Sequence, residues 1–474
     1  MLERQGHLVR WWPAAALLAA TVAQGPAGGF VYDAAHYFDG SLALFTAADT
    51  VRVGDLDFRG ALTPLVYAPA ALAEHLVTGA GRYAVLLENA LLVALVGGFL
   101  LPRIAARPAA VWVCAPLTWL VAARFAPFPL MDLPAVAAFL TAVWLALRPD
   151  VLRPDVLRPD ALRPDALRPD VLRPDPPRFG TPRFGTARFG PLRFGTAWCL
   201  GLAGVAAGAT VNLRPAYLLP LAALGGIVVV TRRRSALWFA AGVVAGSLPQ
   251  VAFNALRGSA PGPTPPGTAD LAGFQAGYAS YVVRYDTIEP AVGAPQQFYC
   301  DPSMAAAVGG RLAASTGGLV RALLTNLPES ALFLVEKVAA ALAWSWSTPY
   351  SAAASAEHYE LTVPVVLIVA TGIVAACRTP GARTLAILAA GVCASLMTSA
   401  TETRFALPLV LLAVAGCALV TGPAGGAAES RPRVIRFVAV VLVVAAAVAA
   451  VAALGVAHPL PPGPATPAVC AANG

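Results

Sequence analysis

Val434-Ile-Arg-Phe-Val-Ala-Val-Val-Leu-Val-Val-Ala-Ala-Ala-Val-Ala-Ala-Val-Ala-Ala-Leu-Gly-Val456 decides the class of this protein. From Phe437 to Val456 the stretch holds no charged side chain, and Arg431, Arg433 and Arg436 crowd its start. An apolar run of about 20 residues is long enough to cross a bilayer as a helix. Arginines at one end are the usual mark of the cytoplasmic side.

The rest of the chain repeats this pattern. Apolar runs fall at 9–29, 83–101, 109–124, 131–147, 196–211, 216–231, 236–254, 361–377, 384–399, 403–421 and 434–456. Over 474 residues, hydrophobic side chains make up 58% and charged ones 12%. Mean hydropathy is +0.68. A soluble domain carries about 25% charge, so an ordinary soluble enzyme is excluded. The expected fold is all-α, a polytopic transmembrane protein with about 11 spans.

The formal net charge of +8 sits mostly in short loops beside the runs, so it reads as membrane orientation rather than nucleic-acid binding. Arg103 and Arg107, Arg232 to Arg234, Arg378 and Arg383, and Arg431 to Arg436 mark four cytoplasmic loops. With these inside, the eleven runs alternate, the N-terminus lies inside and the tail 457–474 outside. Trp11 to Ala23 follows Arg4 and Arg10 and imitates a signal peptide; we expect it to stay as the first span.

Residues 61–79 and 327–346 are apolar enough to tempt a span assignment. Spanning either would invert the loops that follow, and Glu74, His75, Glu329, Glu336 and Lys337 would be costly at mid-bilayer. Both are expected to be amphipathic helices at the outer interface. The chain then divides into an N-terminal transmembrane module (1–147) with a first outer loop (30–82), a repeat linker (148–195), transmembrane helices (196–254), a large outer loop (255–360), C-terminal helices (361–456) and the outer tail. In the linker an LRPD unit recurs every five residues and RFG units follow. Proline at each repeat forbids a regular helix, so an extended cytoplasmic linker is expected. Cys300 and Cys470 both fall outside the membrane in this scheme and could pair in an oxidising compartment. No CxxC or zinc signature occurs.

Four motifs meet the outer surface. Phe30-Val-Tyr-Asp-Ala-Ala-His-Tyr-Phe-Asp39 brings Asp33, His36, Tyr37 and Asp39; a carboxylate there suits a general base, and an interfacial belt is the structural alternative. Asp132 follows Phe128-Pro-Leu-Met, as a site residue or as a helix N-cap. Arg214, in Asn212-Leu-Arg-Pro-Ala-Tyr217, is on the wrong side for orientation; it suits a phosphate or snorkels. Glu402 and Arg404, in Thr401-Glu-Thr-Arg-Phe-Ala-Leu-Pro408, form either a local ion pair or part of the same site. No phosphate loop, HExxH or GxSxG motif is present. Acids and arginines on one face fit transfer from a lipid-linked phosphate donor.

The arrangement resembles the GT-C superfamily of integral-membrane glycosyltransferases, particularly the bacterial branch akin to protein O-mannosyltransferases and lipid A aminoarabinose transferases. Asp33 with Tyr37 is similar to the acidic first-loop motif, and Asp132 to the second acidic position. Gly201-Leu-Ala-Gly-Val-Ala-Ala-Gly-Ala-Thr-Val-Asn-Leu-Arg-Pro215 is similar to the glycine-rich helix ending in Arg-Pro, and Glu402-Thr-Arg-Phe405 to the late Glu-x-Arg-aromatic segment. The resemblance implies a multi-pass enzyme of the cell membrane with its active site on the extracytoplasmic face. It would move a sugar from a polyprenyl-phosphate donor to a glycan, lipid or protein acceptor, usually with inversion. Asp33 would be the base, Asp132 would position a substrate, Arg214 and Arg404 would hold the donor phosphate, and Glu402 would orient Arg404. Tyr37, His36 and Asp39 would line the substrate site. No cofactor is required, although some relatives use a divalent metal. Many relatives carry adjacent acids in the first loop, but Asp33 is followed by Ala34, which leaves Asp33 and Asp39 both open as the base. A transporter or flippase of lipid-linked sugars, a surface-polysaccharide polymerase or ligase, and a non-enzymatic scaffold are the competing readings.

Overall fold

A computed structural model describes residues 2–46, 60–148, 194–233, 235–288, 296–309, 312–344, 350, 361–420, 431–461, 463 and 465–473. The repeat units between 149 and 193 lie outside the described residues, as do Glu289 and residues 351–360. The protein is about three-quarters helical.

The first half contains α1 (Leu2–Val22), α2 (Tyr32–Leu42), the short α3 (Thr63–Val66) and α4 (Ala68–Leu76), and α5 (Gly81–Leu95). A π-turn (Val96–Leu100) carries α5 into α6 (Leu101–Ile104), followed by α7 (Val111–Ala122) and α8 (Asp132–Ala146). Next come α9 (Phe194–Leu213), α10 (Leu218–Arg232), α11 (Ala236–Leu256) and α12 (Thr268–Ala279). After a β-hairpin come α13 (Pro302–Val308), α14 (Thr316–Thr325), α15 (Leu327–Ala340), α16 (Thr362–Arg378), α17 (Pro380–Met397), α18 (Leu407–Val420), α19 (Arg431–Gly455) and α20 (Pro467–Ala471).

Each apolar run of the sequence falls on a helix. Among the described residues six helical segments are long and apolar enough to cross a membrane, and five more apolar helices are shorter. That is narrower than eleven full spans. The outward faces are those of a membrane protein: α19 exposes Val438, Val440, Leu442 and Val443, an apolar surface that water would not tolerate as a contiguous patch. At the centre, α18 is 83% buried, against 17% for α19. The strongest pairing is α9 with α11. A Cβ on Gly204 would lie 2.1 Å from the Phe239 carbonyl oxygen, and one on Gly242 would lie 2.0 Å from that of Gly201. Only glycine lets these backbones touch, the small-residue packing common between membrane helices.

The second outer loop adds one small strand pair to an otherwise helical chain. Strand β1 (Val282–Thr287) pairs antiparallel with β2 (Gln296–Cys300), with a bulge between Val282 and Arg284. A lone hairpin is marginal in water. Here the tail braces it: Leu460 N–H donates to Phe298 O and Cys300 N–H to His458 O, and a Cys300–Cys470 disulfide closes the unit. The tail is therefore docked against the loop.

The two suspected interfacial segments are helical; His75 and Glu329 are exposed, whereas Glu336 and Lys337 turn inward. On α15, Leu327, Leu332 and Val335 are exposed while Glu336 and Lys337 are buried. The Lys337 ammonium donates to Ala279 O at 3.1 Å, and burial pushes it down to about 7. Burial, with Asp301 beside it, pushes Glu336 up to about 7. In the first loop, Glu74 accepts from the N–H groups of Gly79 and Gly81, so it caps α5 instead of facing water.

Candidate functional site

The chain enters α2 under strain. Tyr32 has φ of +49°, a region that costs a bulky residue about 1–3 kcal/mol. Two contacts hold it there: its hydroxyl donates to Ile288 O at 2.7 Å, and its ring lies 6.0 Å from that of Tyr350. Tyr350 also accepts from the Ala34 N–H. The large outer loop thus fixes the start of α2, where Asp33 occupies the first turn.

Asp33 Oδ2 accepts from Arg404 Nη2 at 2.9 Å, across 371 residues of sequence. Arg404 sits in a 3-10 turn (Thr403–Ala406) that opens α18. Its Nε donates to Glu402, and the other Glu402 oxygen accepts from the Thr287 hydroxyl at the end of β1. Burial pushes Glu402 up, while Arg404 and the Thr287 bond oppose that shift. Strand β1 is tied in again where Tyr285 N–H donates to Thr401 O at 2.8 Å.

Arg214 leaves the end of α9 and pairs with Asp132. Asp132 is the first residue of α8, and it makes no capping hydrogen bond; the N-cap alternative is corrected by this pairing. The Phe405 ring lies near both arginines, 4.3 Å from the Arg214 guanidinium and 5.4 Å from that of Arg404. Facing π-electrons stabilise both cations. Arg214 is 18% exposed, so it does not snorkel to water.

Asp33, Asp132, Arg214, Glu402 and Arg404 therefore meet, although they come from four separate segments. Tyr37, one turn beyond Asp33, lies within electrostatic reach of Arg214. His36 and Asp39 are exposed. Asp39 lies about 240° around α2 from Asp33. Glu402 and Arg404 do form the local ion pair expected of neighbours, and Arg404 reaches further, to Asp33.

A small cleft opens beside the cluster. Asp132, Arg214 and Arg404 line its polar end, and Pro220, Leu396 and Pro408 are among the side chains of its apolar wall. Its flanking helices α10 and α17 are both only 28% buried, so the cleft adjoins an apolar outer surface. No protein-family model, curated protein or solved structure matches the chain.

Thr287, Tyr285 and Phe405 were not singled out as site residues from the sequence. Phe405 carried a signal, since it follows Arg404 directly. Thr287 carried none, because its partner Glu402 is 115 residues away. Asp33 and Asp132 are each held by a different arginine, and no group of three metal-ligating side chains occurs among the described residues.

Proposed function

We propose that this protein is a membrane glycosyltransferase of the GT-C type, moving a sugar from a polyprenyl-phosphate donor to an acceptor outside the cytoplasmic membrane. The observation that carries the reading is that Asp132, Arg214 and Arg404 line one cleft and that Asp33 is paired to Arg404 beside it. The donor's chain lies along α10 and α17, and its phosphate reaches the arginines. Asp33 takes the proton of the acceptor hydroxyl as the oxygen attacks the anomeric carbon from the opposite side. The carbon–oxygen bond to phosphate breaks with inversion, and Arg404 and Arg214 neutralise the departing charge. Asp132 holds Arg214 in place, and Glu402 orients Arg404.

The Cys300–Cys470 disulfide supports the extracytoplasmic face, since disulfides persist in oxidising compartments. Strand β1 of the same unit reaches the cluster through Thr287. The test is transfer from a polyprenyl-phosphate sugar in membranes carrying Asp33→Asn. A loss of about 10²–10⁴-fold is expected of a missing general base. Full activity would remove Asp33 from the role and return it to Asp39.

One observation favours a transporter of lipid-linked sugars instead. Glu88 lies seven residues inside the Gly81–Ile104 candidate span, with its carboxylate oxygens shielded from solvent beside the Ala70 backbone. Ionisable groups within spans mark transport pathways. If vesicles move a lipid-linked sugar without forming a glycosidic bond, and Glu88→Gln stops it, the transport reading wins.

A further inference from the structure

Both arginines of the cluster are already matched. Arg214 is paired with Asp132, and Arg404 with Glu402 and Asp33. Three carboxylates face two guanidiniums, so the cluster has no surplus positive charge. An incoming phosphate gains a guanidinium only if a carboxylate gives one up.

Burial decides which carboxylate that is. The Asp132 side chain is 4% exposed and that of Glu402 3%, whereas Asp33 is 39% exposed. Glu402 is held by Thr287 as well as by Arg404, and displacing it would strand a charge in a buried setting. Asp33 stands on the first turn of α2 with water beside it. Its loss of Arg404 is compensated by solvent, and its loss alone leaves the Glu402–Arg404 geometry intact.

We propose that Asp33 is a place-holder on Arg404, and that the donor phosphate takes its seat at Nη2. This rests on the glycosyl-transfer reading of the site. The exchange has a chemical consequence. A carboxylate released from a guanidinium accepts a proton more readily than one held by it. Asp33 therefore becomes a competent base only after the donor has bound. It then takes the proton of the acceptor hydroxyl. That oxygen supplies the electron pair of the new bond to the anomeric carbon, and the phosphate leaves with the pair of the old one. Donor binding precedes acceptor activation, and Arg404 couples the two.

The place-holder makes an opposite prediction for binding and for turnover. Farnesyl phosphate, a short-chain probe, is titrated into the purified full-length protein in detergent and followed by intrinsic tryptophan fluorescence. Removing the competitor by Asp33→Asn should tighten binding about two- to fivefold, the scale of a partly exposed ion pair, while transfer is lost. Asp33→Ala should behave alike, which guards against an effect of the amide. Asp270→Asn, which removes an exposed charge on α12, should change nothing. Arg404→Lys should weaken binding. Unchanged or weaker binding by both Asp33 variants, with wild-type binding intact, overturns the place-holder and leaves the donor assignment standing. Failure of the wild-type protein to bind the probe at all overturns the donor assignment and the exchange with it.

Discussion

Two polar clusters lie near each other in this molecule and use the same side chains to opposite ends. In the outer unit, Arg284 is wholly buried; it grips both oxygens of Asp286, two residues along β1, and donates to Ala340 O and Ala343 O. Both charges there are sealed inside the protein. At the cleft, Arg404 and Asp33 bridge 371 residues, and one partner remains open to water. A sealed pair pins a fold, and a pair with an exposed member can be exchanged.

Breaking the sealed pair should have the largest effect. Arg284→Ala strands Asp286 in the interior and should cost about 3–5 kcal/mol, seen as lost expression or a much lower melting midpoint. Replacing both residues with apolar ones of similar volume should recover much of it. If Arg284→Ala melts like wild type, the two clusters do not differ as described. Next comes the disulfide. Cys300→Ser with Cys470→Ser should cost about 2–4 kcal/mol, and reductant should alter the gel mobility of the wild type only.

At the cleft, the contrast sharpens if activity falls while the fold survives. Arg404→Lys keeps the charge but loses the planar fork; transfer should drop by about 10²-fold with little change in melting. Thr287→Val removes one hydrogen bond to a charged group, worth about 1.5 kcal/mol or tenfold in transfer, and Thr287→Ser should restore it. A merely structural threonine would instead show a shifted melting midpoint and normal turnover.

At Lys337 the effect depends on pH. It loses its proton near 7 in the fold but near ~10.4 when unfolded. Between those values the unfolded chain holds more protons, so wild-type stability rises with pH there, and the cost is fully present below about pH 7. Lys337→Met should therefore raise the melting midpoint most at pH 6, with the gap over wild type closing towards pH 10.

The membrane helices were legible because their signal is local: twenty apolar residues in a row need no partner to declare themselves. The acids and arginines were legible for a related reason. Asp33, Asp132, Arg214 and Arg404 each stand at the end of an apolar run, where charge is conspicuous. The hairpin was not, since its strands are short and are separated by a long connection with Pro290, Gly293 and Pro295. Nor was the direction of the charges on α15, where spacing indicates an amphipathic helix but not which face meets protein.

What the amino-acid order determined alone is the apolar helices and the short list of charged residues at their ends. Only the tertiary structure decided that Arg404 holds Asp33 and that Thr287 holds Glu402. The reason is physical: periodicity and hydropathy act over one turn or one span, whereas an ion pair across hundreds of residues exists only once the helices have packed.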